Sequence, residues 1–319
     1  MAVYTKLSLD EIKNFINQFD VDEFQNYEEI LEGVENSNYL IHTKKNKFVL
    51  TIYEKRVEEK DLPFFLNLMF ELSKKNFSCP QPLVSKKGEK ILKIKGKNAA
   101  LISFLIGKSK KNLTPNNCFG LGQTIARLHI TTDSIKLYRA NNLSLEGWNK
   151  IFSSIKNTKK FNDEKLIKKI EFELEVIKKN WPLKLPGGII HADVFPDNVF
   201  FENDEITGLI DFYFSCTDFY AYEIAICLNS ICFDNNSTFN MTKAKNLIEG
   251  YETVRKLSND EKNHLPILAR GAAMRFFITR LYDFHNTSSE AKVKIKDPNE
   301  YLKRINFHST VKNFREYFL

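Results

Sequence analysis

Gly187-Gly-Ile-Ile-His191-Ala-Asp193-Val-Phe-Pro-Asp-Asn198-Val-Phe-Phe201, continued by Glu202-Asn-Asp-Glu205 and Ile206-Thr-Gly-Leu-Ile-Asp211-Phe212, decides the reading of this chain. The stretch has three parts. His191, Asp193 and Asn198 stand at fixed offsets, a short hairpin reverses at a polar turn, and the returning strand delivers a second carboxylate, Asp211, toward Asn198. Two carboxylates and an amide in this order suit a polyphosphate: hard oxygen ligands hold the Mg²⁺ that neutralises it. A separate carboxylate stays free to orient an attacking hydroxyl and accept its proton.

The spacing H-x-D-x-x-x-x-N is that of the catalytic loop of kinase-type phosphoryl-transfer sites, where the Asp takes the hydroxyl proton and the Asn holds Mg²⁺. Two other readings stay open on the residues alone. His191 can be a buried polar residue, Asp193 and Asp197 turn formers and Asn198 a cap. His191 and Asp193 can also join His264, His285 or His308 in a two-His-one-carboxylate iron centre.

Working outward, Ser8-Leu-Asp-Glu11 is a capping box followed by Ile12, Phe15, Ile16 and Phe19 at helical spacing. Residues 39–42 and 48–53 form a hairpin, 62–72 a helix, and 84–106 a meander of short strands with turns at Lys-Lys-Gly and Lys-Gly-Lys. Beyond 107 a polar loop leads into helical periodicity over 119–130, 163–180, 220–233, 242–256, 259–285 and 300–318, with Thr242 and Ser258/Glu261 as N-caps. This predicts an α+β chain: a small antiparallel β-sheet lobe over 1–105 and a larger, mainly helical lobe over 106–319.

Composition narrows the partners. The net charge is +7, but 38 of the 47 basic residues are Lys, scattered as pairs rather than gathered into one tract; a solvated surface, not nucleic-acid binding, is expected. Five cysteines, an odd number without a C-x-x-C pair, point to a reducing compartment. The longest apolar run, residues 99–106, is too short to span a bilayer, and a cytoplasmic protein without membrane attachment is expected.

The chain resembles the aminoglycoside-phosphotransferase-like kinases, a family with a two-lobed protein-kinase-like fold, and within it the bacterial homoserine kinases. The likeness runs through Met1-Ala-Val-Tyr-Thr5, Gly33-Val-Glu-Asn-Ser-Asn-Tyr39, Phe48-Val-Leu-Thr-Ile-Tyr-Glu54, Leu62-Pro-Phe-Phe65, Ala126-Arg-Leu-His129, Tyr138-Arg139, Asp211-Phe-Tyr-Phe214 and Arg275-Phe-Phe-Ile-Thr-Arg-Leu-Tyr-Asp283. It implies an ATP- and Mg²⁺-dependent transfer to the hydroxyl of L-homoserine in threonine biosynthesis. Another small alcohol (choline, a sugar, an aminoglycoside) is the alternative acceptor. By position the resemblance makes Asp193 the catalytic base and Asn198 and Asp211 the metal ligands. Gly33, Val34, Asn36, Ser37 and Asn38 would form the loop over the phosphates, and Ser103, Phe104 and Leu105 would meet adenine. Arg139 and Arg275, with Arg280, are candidates for the acceptor's carboxylate; Asp218 and Glu223 are candidates for its ammonium. Tyr282 shares a helix face with Arg275 and Thr279.

One departure stands out. The family places a Lys or Arg at the position of Thr51, paired with a Glu on the next helix, which here reads Phe64-Phe-Leu-Asn-Leu68. Both partners are missing together, which points to a substitute through Lys55, Lys47 or backbone donors, or to a pseudokinase that binds nucleotide without turnover.

Overall fold

The computed structural model describes residues 4–31, 36–54, 57–156, 158, 161–235, 237–286 and 296–318. The chain folds as two compact units, Met1–Lys108 with Thr207–Tyr213, and Ser109–Ile206 with Phe214–Leu319.

In the first unit, helix α1 (Leu9–Ile16) opens on the expected capping box: the Glu11 amide donates to Ser8 Oγ (3.3 Å) and the Ser8 amide to the Glu11 carboxylate (2.7 Å). Strands β1 (Phe24–Ile30), β2 (Ser37–Thr43) and β3 (Lys47–Ile52), helix α2 (Leu62–Lys74), and strands β4 (Leu92–Ile94) and β5 (Lys97–Ser103) follow. The strands form one antiparallel sheet in the order β1-β2-β3-β5-β4. Alternation along β2 turns Tyr39 and Ile41 onto the buried face, where they join Ile12, Phe15, Leu50 and Ile52 in one core. Strand β1 lay outside the sequence reading. It occupies the sheet edge and buries none of its residues completely, so its sequence carries no apolar alternation.

The chain continues through β6 (Lys108–Ser109), α3 (Pro115–Thr132), α4 (Leu145–Lys156), α5 (Glu164–Asn180), β7 (Gly187–Ile190), β8 (Val199–Glu202), β9 (Glu205–Leu209), β10 (Cys216–Phe219), α6 (Tyr220–Ile231), α7 (Met241–Val254), α8 (Asn259–Asn286) and α9 (Asn299–Thr310). Helix α4 was not expected. It buries Trp148, Phe152 and Ile155, a helical spacing diluted in the sequence by polar neighbours. Helix α7 is capped by Asn240, whose side chain accepts the Lys243 amide (3.0 Å), and not by Thr242. Helix α9 stops at Thr310 instead of running to 318, because the backbone turns extended at Val311 and the chain then makes a single tight turn, Phe314–Tyr317. The Ser258/Glu261 capping box forms as expected. No helix among the described residues is long and apolar enough to cross a membrane.

Helices α3 and α7 cross through reciprocal glycines. A methyl group on Gly122 would lie 2.0 Å from the Leu247 carbonyl oxygen, and one on Gly250 would lie 2.0 Å from that of Phe119. Neither backbone can yield without separating the helices. Gly120, on the same helix, would meet only Ile206 Cδ1 at 3.6 Å. Gly122→Ala is therefore expected to destabilise the protein by roughly 1–3 kcal/mol in denaturant titration, while Gly120→Ala leaves stability unchanged or slightly raised through helix propensity. Equal midpoints for the two variants would contradict this packing.

Candidate active site

The central loop starts where β7 ends. Strand β7 pairs antiparallel with β10, Ile190 opposite Cys216 and Gly187 opposite Phe219. The two glycines at its start are required by crowding: a methyl on Gly187 would lie 2.6 Å from the Asp218 carbonyl oxygen, and one on Gly188 would lie 2.3 Å from the Tyr220 hydroxyl. The pairing brings residues 191–198 against Glu223 and Ser230 of α6 and the middle of α8 at Arg275.

Buried side chains hold this loop by its backbone. Glu223, fully buried on α6, accepts the amide of His191 and that of Ala192. Arg275, fully buried on α8, donates to the Ala192 carbonyl (2.6 Å). Ser230 donates to the Val194 carbonyl (2.5 Å), and the Asn198 amide donates to the Asp193 carbonyl (2.9 Å) and carboxylate (3.3 Å). Ala192 sits at φ +63°, a left-handed conformation that costs an L residue about 1–2 kcal/mol. Glu223 on its N–H and Arg275 on its C=O hold it there. His191 accepts the Asp193 amide on Nδ1 (3.3 Å), which places the ring proton on Nε2. The effect is to fix the Asp193 carboxylate, with Asn198 beside it, on a backbone held on both sides.

Of the residues expected to meet the acceptor, several are engaged elsewhere. Arg275 is 2% exposed, stacks its guanidinium on Phe276 (4.6 Å) and spends a donor on the loop; Glu223 holds amides. Asp218 accepts from Asn141 (2.6 Å) and from the Phe219 amide (2.7 Å), and burial raises its pKa. Arg139 donates to the Ser215 carbonyl (3.2 Å), tying its segment to β10. Tyr282 is exposed. Arg280 bonds Glu300 (2.5 Å). His308, a candidate iron ligand, has both ring nitrogens occupied, by Tyr317 and Asn229. The part played by Glu223 and Arg275 was not legible because each acts on backbone 31 to 83 residues away.

The remaining candidates lie in the first unit. Gly33 and Val34 fall outside the described residues, as does Lys55. Ser37 and Asn38 already belong to β2. Ser37 is fully buried, donates to Glu54 (2.7 Å) and accepts the amides of Tyr4 and Thr5, so it anchors the N-terminal segment. Asn36 accepts the Glu54 amide (3.5 Å). The Ser103 hydroxyl accepts the Gln81 amide (2.8 Å), and the amides of Ser103 and Phe104 are bonded to the carbonyls of Gln81 and Lys47. Leu105 packs toward Gly208 of the same unit. Asp211, at φ +66°, lies in the segment that returns to this unit.

The profile of the phosphotransferase enzyme family matches residues 26–257. A homoserine kinase of Agrobacterium fabrum is 47% identical over 319 residues, covering 100% of this chain and 99% of its own; one from Rhizobium johnstonii is 46% identical with the same coverage. The chain belongs to the homoserine kinases of the phosphotransferase enzyme family. Among solved structures, an amicoumacin kinase in complex with AMP-PNP, Ca²⁺ and Ami shares the fold with a TM-score of 0.70 at 16% identity, covering 95% of this chain and 92% of its own.

Where the resemblance places a Lys/Glu pair, the first unit holds an aromatic cluster. Tyr53, just beyond β3, and Tyr213, two residues after Asp211, share a hydrogen bond between hydroxyls (3.0 Å) and pack edge to face (5.4 Å), with the Thr51 hydroxyl beside Tyr213. Phe65 of α2, on the helix where the family carries its Glu, packs edge-on against Tyr213 (5.8 Å). Burial, with the nearby Asp211 charge adding to it, pushes both phenols far above their ordinary pKa, so both stay neutral. An aromatic contact thus links the end of β3, helix α2 and the Asp211 segment. Exchanging a buried pair for packed side chains is often energetically neutral. The Lys47 ammonium stands over the Phe104 ring (5.9 Å).

Burial lifts the Glu223 carboxyl to about 7 against the pull of the two amides and Arg275. The native state therefore keeps this proton up to about pH 7, while the unfolded chain gives it up near 4.5. Its contribution to stability is complete below the unfolded value and is lost as pH rises through the native one. The stability difference between wild type and Glu223→Gln is expected to shrink by on the order of 2–3 kcal/mol from pH 4.5 to 8, read by chemical denaturation at each pH. A difference that is flat with pH would contradict the burial of this carboxyl.

Proposed function

We propose that this kinase transfers the γ-phosphoryl group of ATP to the side-chain hydroxyl of L-homoserine. The observation that carries this is the Asp193 carboxylate on a loop immobilised by Glu223, Arg275 and Ser230, in a chain that matches homoserine kinases from end to end.

The chemistry needs little beyond positioning and charge. Asp193 orients the acceptor hydroxyl and takes its proton as the oxygen forms a bond to the γ-phosphorus; the bond from that phosphorus to the β-bridging oxygen breaks, and ADP leaves. Asn198 and Asp211 are the residues that would hold Mg²⁺. The donor set fits a hard cation: the Asn198 NH₂ is used on Asp193, which leaves its amide oxygen for a metal. Bound Mg²⁺ supplies charge neutralisation on the phosphate oxygens. Nucleotide binding falls to the lobe over 1–105, with the loop ahead of β2 near the phosphates and the Leu105 backbone near adenine; catalysis and acceptor binding fall to 106–319. AMP-PNP in the amicoumacin kinase supports ATP as donor. Five buried free cysteines suit a reducing, cytoplasmic setting.

Coupled ADP release with Mg²⁺-ATP across a panel of alcohols tests this reading. Turnover selective for L-homoserine is expected, and Asp193→Ala is expected to lower it by about 10²–10⁴-fold while nucleotide still binds. A wild-type rate in that variant, or turnover only with choline, a sugar or an aminoglycoside, would contradict it.

A further inference from the structure

A cavity of about 320 Å³ lies in the second unit against the catalytic loop. Pro196 and Ser230 lie on its wall, and its charged lining is Lys111, Lys243, Arg304, Asp234 and Glu300. Its link to the chemistry is short, because Ser230 holds the carbonyl of Val194, the residue after Asp193. Tyr301, next to Glu300 on α9, feels the Asp193 charge, and its buried hydroxyl has no hydrogen-bond partner.

The wall carries charge of both signs. Lys243 bonds Asp234 (2.8 Å), and Arg304 pairs with Glu300, which also binds Arg280 (2.5 Å). The Arg304 side chain is only 7% exposed, and its Nε has no partner. Lys243 holds Asp234 below the usual carboxylate range. Burial pushes Glu300 up, but Arg304 and Arg280 outweigh it and keep it low. Both carboxylates are therefore ionised at neutral pH, and they face three cations, Lys111, Lys243 and Arg304, so the wall offers both signs.

A pocket of one sign selects an ion; a pocket with paired charges of both signs complements a zwitterion, since each end of the ligand finds its counter-charge without leaving a buried one unpaired. The volume sits at the lower end of the range for small-molecule sites, which suits a short amino acid and not a multi-ring acceptor. We propose that this cavity docks the acceptor as a small zwitterionic amino acid. Its α-carboxylate faces Lys243 and Arg304, its α-ammonium faces Asp234 and Glu300, and its hydroxyl end extends past Ser230 and Pro196 toward Asp193. The assignment rests on the homoserine reading above and moves acceptor recognition away from Arg139, Arg275, Asp218 and Tyr282.

Lys243→Met and Asp234→Asn remove one charge of each sign from partly exposed positions. Steady-state kinetics would use L-homoserine, 3-aminopropan-1-ol (no carboxylate) and 4-hydroxybutyrate (no ammonium), with the KM for ATP as the measure of an intact fold. Both variants are expected to raise the KM for L-homoserine at least about tenfold, the loss of about 1.4 kcal/mol of binding, with the KM for ATP unchanged. Lys243→Met should leave the KM for 3-aminopropan-1-ol where it was, and Asp234→Asn that for 4-hydroxybutyrate. Wild-type turnover of L-homoserine with its KM unmoved in both variants would overturn the cavity assignment alone. Wild-type turnover confined to an alcohol that is not an amino acid would overturn the homoserine reading and the cavity with it.

Discussion

The contact on which the site depends is the grip of one buried carboxylate on two successive amides. Glu223 reaches from α6 to the N–H groups of His191 and Ala192, where β7 becomes the catalytic loop. Without it, two buried donors would be unsatisfied, at roughly 1–3 kcal/mol each. Ala192 would also lose one of the two partners that keep it left-handed. Arg275 completes the arrangement from the opposite helix on the Ala192 carbonyl, and its charge opposes the burial that favours the protonated Glu223. The Asp193 carboxylate, the proposed base, thus stands on backbone fixed from both sides, with the Asn198 amide on its oxygen.

The same economy explains the first unit. A Lys/Glu pair joining strand to helix would require desolvating two charges; here Tyr53, Phe65 and Tyr213 join the equivalent elements through ring packing and one hydroxyl contact. In place of two charges these positions carry Thr51 and an apolar helix face, joined by ring packing. Among the unit's ion pairs, Glu54 gathers Lys97, Ser37 and Thr5 and pins the N-terminal segment to the sheet.

What could be read from the sequence followed the range of the interactions involved. The 187–212 stretch and the capping boxes at Ser8 and Ser258 are local, so their residues announce themselves at fixed spacing. Helix α4 and strand β1 were missed for opposite reasons: α4 hides three apolar residues among polar ones, and β1 is an edge strand with no apolar face to show. The contacts that engage several of the candidate residues are long-range. Arg275 and Glu223 look like surface-charged residues of amphipathic helices until the fold buries them against backbone far away in sequence. Ser37 resembles a phosphate-loop residue until β2 carries it into the core. No spacing rule encodes those contacts.

The central claim is the chemical identity of the product, and it is tested most directly by ³¹P and ¹³C NMR of the mixture formed from Mg²⁺-ATP and L-homoserine. Asp193 acting on the side-chain hydroxyl should yield a phosphate monoester whose phosphorus couples to the terminal methylene protons. An acyl phosphate on the carboxylate, or inorganic phosphate as the only new phosphorus species, would contradict it.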